Sequence, residues 1–207
     1  MSSESVTTAK AVGANAGASW LTRLGVQSGY LAGALGVAGF GLVLVAPQEQ
    51  ALRVTHPLWL TAAMADWASS MVALLFLTGL AAAAVHPSRV GRLAWAVAFL
   101  ATAASSATHV RVLVDYAAQG LDPAFAARLH DIETPLAQVI FAVIALMALA
   151  GWTIVALTLG RDVPLTSAGR AALVVAGVGV MLPIPLTALA MVAAAHALAH
   201  ASLRPRP

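Results

Sequence analysis

Five long apolar stretches, separated by short polar breaks, occupy most of this chain. They run over about 30–46, 58–85, 93–117, 136–159 and 171–200. A helix needs about 20 apolar residues to cross the hydrocarbon core of a bilayer. A water-soluble helix keeps a polar face, which these stretches lack. The pattern therefore predicts an all-α, polytopic transmembrane helical bundle with five spans, with four or six spans as alternatives.

The composition agrees with a chain that is embedded in a membrane. Hydrophobic residues make up 60% and charged residues 9% of the sequence, whereas a soluble domain carries about 25% charged residues. The eleven Lys and Arg residues are scattered rather than clustered, so we expect a lipid bilayer and no nucleic acid as partner. The absence of cysteine excludes disulfides, thiolate metal sites and cysteine nucleophiles.

The chain divides into a tail, one membrane domain and a second tail. Residues 1–28 are rich in Ser, Thr, Ala and Gly, which favours a disordered or interfacial segment. Residues 29–201 form a single transmembrane domain, and residues 202–207 form the C-terminal tail. The last apolar stretch carries Pro183 and Pro185 near its middle. We expect one tilted, kinked helix there rather than a re-entrant hairpin, because each half is too short to span alone.

The basic residues predict the orientation of the bundle. A cytoplasmic N-terminus places six basic residues inside (Lys10, Arg23, Arg89, Arg92, Arg161 and Arg170) and two outside (Arg53 and Arg128). The positive-inside rule therefore favours a cytoplasmic N-terminus, and we expect a bacterial plasma membrane. With five spans, however, Arg204 and Arg206 fall outside, which conflicts with the rule.

Glycines mark the first span as a packing helix. Gly25, Gly29 and Gly33 recur at four-residue spacing, and Gly36 follows them. Small residues at this spacing let another helix approach closely. We expect ordinary packing within the chain, with a homodimer seam or a larger membrane complex as the alternative.

Four ionisable residues within the second and third spans predict a polar intramembrane cluster. They are Asp66, His109, Arg111 and Asp115. A charge at the bilayer centre costs about 2.5–3.5 kcal/mol on insertion scales, so each one needs a reason. In an antiparallel hairpin turning near Arg89, residues whose numbers sum to about 177 share a depth. Asp66 is then level with His109 and Arg111, in the outer half of the membrane.

Short polar residues extend this cluster along both helices. Ser69 and Ser70 accompany Asp66 on the second span, and Thr102, Ser105 and Ser106 precede His109 on the third. One interpretation is a buried polar seam that fixes the register of the helices. The other is a hydrated path in which Asp66 or His109 carries a proton or ion. A third outcome is that the two faces do not meet.

Histidines near the chain end suggest a metal site as a weaker hypothesis. His196 and His200 are four residues apart, so one helix face can present both to one ion. With five spans they fall on the same outer side as His130 and Glu133. The expectation is no cofactor, because a lone His-x-x-x-His pattern is weak. A membrane redox protein that holds haem or a transition metal through His109, His196 and His200 is the alternative.

Enzyme motifs are missing from the sequence. It contains no GxSxG, no P-loop and no HExxH. The leading hypothesis is therefore a non-enzymatic membrane protein. It would be a small transport or permeation protein, or an accessory subunit of a larger membrane complex.

Overall fold

A computed structural model describes residues 3–47, 56–84, 87–119, 135–179 and 184–203. These residues form helices and short connections, with no strand among them. The helices are α1 (Ser3–Val45), α2 (Pro57–Ala83), α3 (Arg89–Gln119), α4 (Pro135–Leu157), α5 (Leu159–Asp162), α6 (Ser167–Gly179) and α7 (Pro185–Leu203).

Five helical segments are long and apolar enough to cross a membrane. They are Trp20–Val45, Pro57–Ala83, Arg89–Ala107, Val139–Asp162 and Pro185–Leu203. Only 22–39% of the residues in their most apolar windows are buried inside the bundle, so most residues of these windows keep some exposed surface. This confirms the predicted all-helical membrane bundle, with five helices long enough to span; a further apolar helix, α6, is shorter at 13 residues.

The first helix begins earlier than the sequence suggests. It is continuous from Ser3 to Val45, so residues 3–28 are helical where we expected a disordered or interfacial tail. This segment contains no proline and many alanines, and alanine has the highest intrinsic helix propensity.

The last apolar stretch forms a helical hairpin. A Cβ built on Gly169 of α6 would lie 2.5 Å from the Cβ of Ala197, and one on Gly179 would lie 2.7 Å from the Cβ of Thr187. From the first pair to the second, the residue number rises along α6 and falls along α7, so α6 and α7 are antiparallel neighbours. The expectation of a single kinked helix over 171–200 was therefore wrong. Pro185 begins α7, at a position where the missing N–H costs little.

The six longer helices close into a ring in which each packs against two neighbours. The order is α1, α2, α3, α4, α6 and α7, and α7 returns to pack on α1. Successive helices alternate in direction. We call the end with Arg23 and the last turn of α7 the Arg23 end. The opposite end, where α1 finishes, is the Val45 end.

Large side chains fill the core of this ring. Phe76, Trp152, Leu173 and Leu198 are each 0% exposed. The rings of Phe76 and Trp152 are stacked at 6.3 Å with an angle of 7° between their planes. Since these residues come from four helices, a single apolar cluster holds the bundle together.

The four glycines of α1 that were predicted as packing positions face other helices of the same chain. A Cβ on Gly25 would lie 2.6 Å from the Cα of Gly79 in α2, so the two backbones are in direct contact. Gly29, Gly33 and Gly36 all approach α7, where the lack of a side chain lets the helices pack closely. These contacts hold α1 between α2 and α7.

Candidate functional site

A chain of three polar side chains joins α1 to α7. The Tyr30 hydroxyl lies 3.0 Å from Nδ1 of His196, and Nε2 of His196 lies 3.0 Å from Nε2 of His200. The two imidazole rings are nearly perpendicular, at 83°, with centroids 4.5 Å apart. All three side chains are exposed on the outside of the bundle.

Glycine packing positions this chain. A Cβ on Gly29 would lie 2.7 Å from the Cβ of Ala195, so α1 and α7 nearly touch there. Tyr30 follows Gly29 and His196 follows Ala195 in the sequence. The close helix contact therefore brings the tyrosine hydroxyl within hydrogen-bonding distance of the imidazole. His200 lies one helical turn nearer the Arg23 end, on the same face of α7.

Two further polar residues of α1 extend the chain into what we call the polar strip. The polar strip consists of Arg23, Gln27, Tyr30, His196 and His200, all exposed. Residues three and four positions apart share one face of a helix, so its three α1 members lie in a row. From Arg23 to Tyr30 this row covers about 10 Å along the helix axis.

The position of His196 corrects one expectation. The sequence placed it beside His109 in the outer half, but the hairpin carries it to the Arg23 end. Trp95 Nε1 of α3 donates to the carbonyl of Leu77 in α2. The neighbouring Phe76 packs against Gly29 of α1. Trp95 and Gly29 therefore lie at about the same height in the bundle. His109 follows Trp95 by 14 residues, which is about 20 Å farther along the axis. The two histidines therefore cannot ligate one haem iron.

The predicted polar cluster remains a prediction. Asp66 lies in α2, and its backbone nitrogen packs against Gly39 of α1. His109, Arg111 and Asp115 belong to the helix Arg89–Gln119, but their side chains lie outside what the structure describes. His130 and Glu133 also lie outside the described residues, so the metal site proposed with them is untested.

Hydroxyl groups of the second and third spans face different helices. Ser69 Oγ donates to the carbonyl of Ala32 in α1, at 2.8 Å. Thr102 Oγ1 instead accepts from Trp152 Nε1 of α4, at 3.1 Å, and Ser106 Oγ donates to the carbonyl of Thr102. These hydroxyls therefore do not share the single polar face that we considered. Each forms a hydrogen bond within its own part of the packing.

Sequence reasoning missed Tyr30 and Gln27. The spacing of four and then three residues from Arg23 was a signal for a polar face at the start of the first span. The prediction of a tail over residues 1–28 leaves this signal unused. The partnership with His196 had no local signal, since the direction of α7 decides it.

Two other features bear on ligand binding. Within the part of the chain that the structure describes, no three His, Cys, Asp or Glu residues come together to hold a metal. A groove of about 130 Å³ between α3 and α4 is apolar throughout, and it is lined by Val90, Leu93, Ala94, Val97, Ala150, Gly151 and Ile154. A groove of this kind suits a hydrocarbon chain better than an ion.

Comparisons with known proteins give no relative. No family model, no curated protein and no solved structure matches the chain. The class of the protein therefore follows from its fold, which is that of an α-helical integral membrane protein.

Proposed function

We propose that this protein is a non-catalytic accessory subunit of a membrane assembly, and that the polar strip is its contact with a partner. The observation that carries this proposal is the Tyr30–His196–His200 chain on an outer face that also exposes large apolar side chains. Leu31 and Leu189, on the same two helices, are 51% and 57% exposed.

The energetic reason is that polar groups facing lipid are unfavourable unless they find partners. Tyr30 and His196 each satisfy one hydrogen-bonding group by bonding to the other. The remaining groups of the strip still face outward, at depths up to about 10 Å from Arg23. Polar side chains of a neighbouring transmembrane helix would complete these bonds, as they do in other helix pairs within membranes.

The packed core favours an accessory role over permeation. Phe76, Trp152, Leu173 and Leu198 fill the ring with buried side chains. A small permeation protein would need a polar passage along this axis. The exposed polar side chains of the strip lie instead on the outside of the bundle, and the buried Thr102, Ser106 and Trp152 are hydrogen-bonded within the packed core.

The hairpin also supports a cytoplasmic Arg23 end. Because α7 returns to that end, a topology with both termini on one side counts Arg204 and Arg206 with the inner basic residues. The conflict of the five-span topology with the positive-inside rule then disappears. We propose that the N-terminus and C-terminus are both cytoplasmic.

The test uses the protein in membranes of the organism that carries its gene. The strip variant combines Gln27→Leu with His196→Leu, and the control Leu146→Ala alters an exposed residue on α4. After mild solubilisation, we expect wild type and control to migrate in one complex of higher mass. The strip variant should migrate as the free protein. Equal migration of all three would contradict the proposal.

A second candidate function is proton or ion transport, and Asp66 favours it. A carboxyl group within the span Pro57–Ala83 is costly and often functional in membrane proteins. If Asp66 carries a proton, Asp66→Asn should abolish pH-dependent flux into liposomes without loss of the fold. Flux equal to that of wild type would eliminate this role.

A further inference from the structure

The imidazoles of His196 and His200 converge on one point in space. They come from successive turns of α7, and their Nε2 atoms are 3.0 Å apart. Imidazole nitrogens bind a metal ion at about 2.0–2.1 Å, so two of them lie about 2.9 Å apart at right angles and about 3.4 Å apart in a tetrahedron. The observed separation is close to the right-angled arrangement. An ion could therefore replace the shared proton with little movement of either ring.

Tyr30 completes the pattern around one of these histidines. When Nε2 of His196 binds a metal, the ring proton resides on Nδ1, which can donate to the Tyr30 hydroxyl 3.0 Å away. Histidine ligands of metals usually make such a bond through their second nitrogen, and it fixes both the tautomer and the ring orientation. The same contact therefore prepares His196 as a ligand.

We infer that His196 and His200 form a two-histidine site for a divalent transition metal ion, with Tyr30 as the positioning residue of His196. A nitrogen separation close to that of the right-angled arrangement suits the tetragonal geometry of Cu²⁺. Cu²⁺ also binds nitrogen sites more tightly than the other divalent ions of the first row.

This site keeps the two α7 histidines that the sequence suggested as metal ligands and drops the other ligands of that hypothesis. It uses neither His109, which lies about 20 Å away along the axis, nor the residues before the fourth span. It also requires no partner protein, so it can be tested on the purified chain. Its failure would leave the proposed accessory role untouched, and failure of that role would leave the site untouched.

The test measures Cu²⁺ binding by the full-length protein, purified in detergent with an affinity tag that contains no histidine. We expect one Cu²⁺ per chain, with splitting from two nitrogen ligands in its electron paramagnetic resonance spectrum. His196→Ala and His200→Ala should each remove this signal. Tyr30→Phe keeps both ligands, and we expect about tenfold weaker binding because the bond that orients His196 is lost.

A relocation variant controls for the number of histidines. Combining His200→Ala with Leu203→His keeps two histidines on α7 but separates them by seven residues, about 10 Å. We expect this variant to lose the two-nitrogen signal while its elution volume in size-exclusion chromatography stays unchanged. The inference is overturned if wild type gives no two-nitrogen signal. It is also overturned if a folded His200→Ala or the relocation variant binds Cu²⁺ as wild type does.

Discussion

The Tyr30 hydroxyl lies 3.0 Å from Nδ1 of His196, although 166 positions separate the two residues in the sequence. This contact depends on the direction of α7, which runs antiparallel to α1. If the last stretch continued as one helix to the opposite end, His196 would lie far from Tyr30. The hairpin of α6 and α7 therefore creates the polar strip.

Replacing Gly25 tests the closest helix contact. A Cβ there would lie 2.6 Å from the backbone of Gly79, and backbone cannot move aside as a flexible side chain can. We expect Gly25→Ala to destabilise the protein by about 1–3 kcal/mol through overpacking. Thermal unfolding in detergent measures this. Gly41→Ala is the matched control, because nothing lies within 4 Å of its new Cβ. Equal effects of the two changes would argue against the packing.

Replacing Thr102 tests the buried hydrogen bond to Trp152. Both residues are 0% exposed, so Thr102→Val leaves the indole N–H of Trp152 without an acceptor. We expect a loss of about 1–3 kcal/mol in the free energy of unfolding. Thr78→Val is the control, since the Thr78 hydroxyl donates only to Leu74 of its own helix. A smaller loss for Thr102→Val than for this control would contradict the account.

Labelling of single cysteines tests the sides on which the helices end. The chain has no cysteine of its own, so each introduced thiol gives an unambiguous signal. We expect Trp20→Cys and Ser202→Cys to react alike with a membrane-impermeant maleimide in intact cells. Val45→Cys should behave in the opposite way, because it lies at the other end of α1. Labelling of Ser202→Cys together with Val45→Cys would indicate a last helix that crosses outward.

Hydropathy predicted the first four spans because lipid imposes a length and an apolar surface on every spanning helix. It could not distinguish a kinked helix from a hairpin over 171–200, since both contain the same apolar residues. The decisive features are the small-residue contacts of Gly169 with Ala197 and of Gly179 with Thr187. Such contacts join positions that are remote in the sequence, and one sequence by itself does not reveal them.

The candidate site was predicted only in part for the same reason. The four-residue spacing of His196 and His200 is local and could be recognised. The contact of these histidines with Tyr30 depends on which end of the bundle α7 reaches. The opposite direction of the last helix would place them near His109 instead. The hydroxyls of Ser69 and Thr102 show a similar limit, because sequence spacing gives the face of a helix but not the neighbour of that face.

Disulfide trapping tests the antiparallel packing of α7 on α1 most directly. The pairs Gly29→Cys with Ala195→Cys and Gly36→Cys with Ala188→Cys place Cβ atoms that approach to 2.7 and 3.0 Å in the structure. A disulfide needs about 3.5–4.5 Å, so a small separation of the helices suffices. Exchanging the partners, to Gly29 with Ala188 and Gly36 with Ala195, gives the register of parallel helices.

After mild oxidation of the membranes, the protein is treated with a thiol reagent of high mass. Cysteines that have formed a disulfide do not react, and this lack of reaction reports each disulfide. The account predicts that both matched pairs form a disulfide and that both exchanged pairs remain free thiols. Disulfides in the exchanged pairs, with free thiols in the matched ones, would contradict the hairpin and with it the contact between Tyr30 and His196.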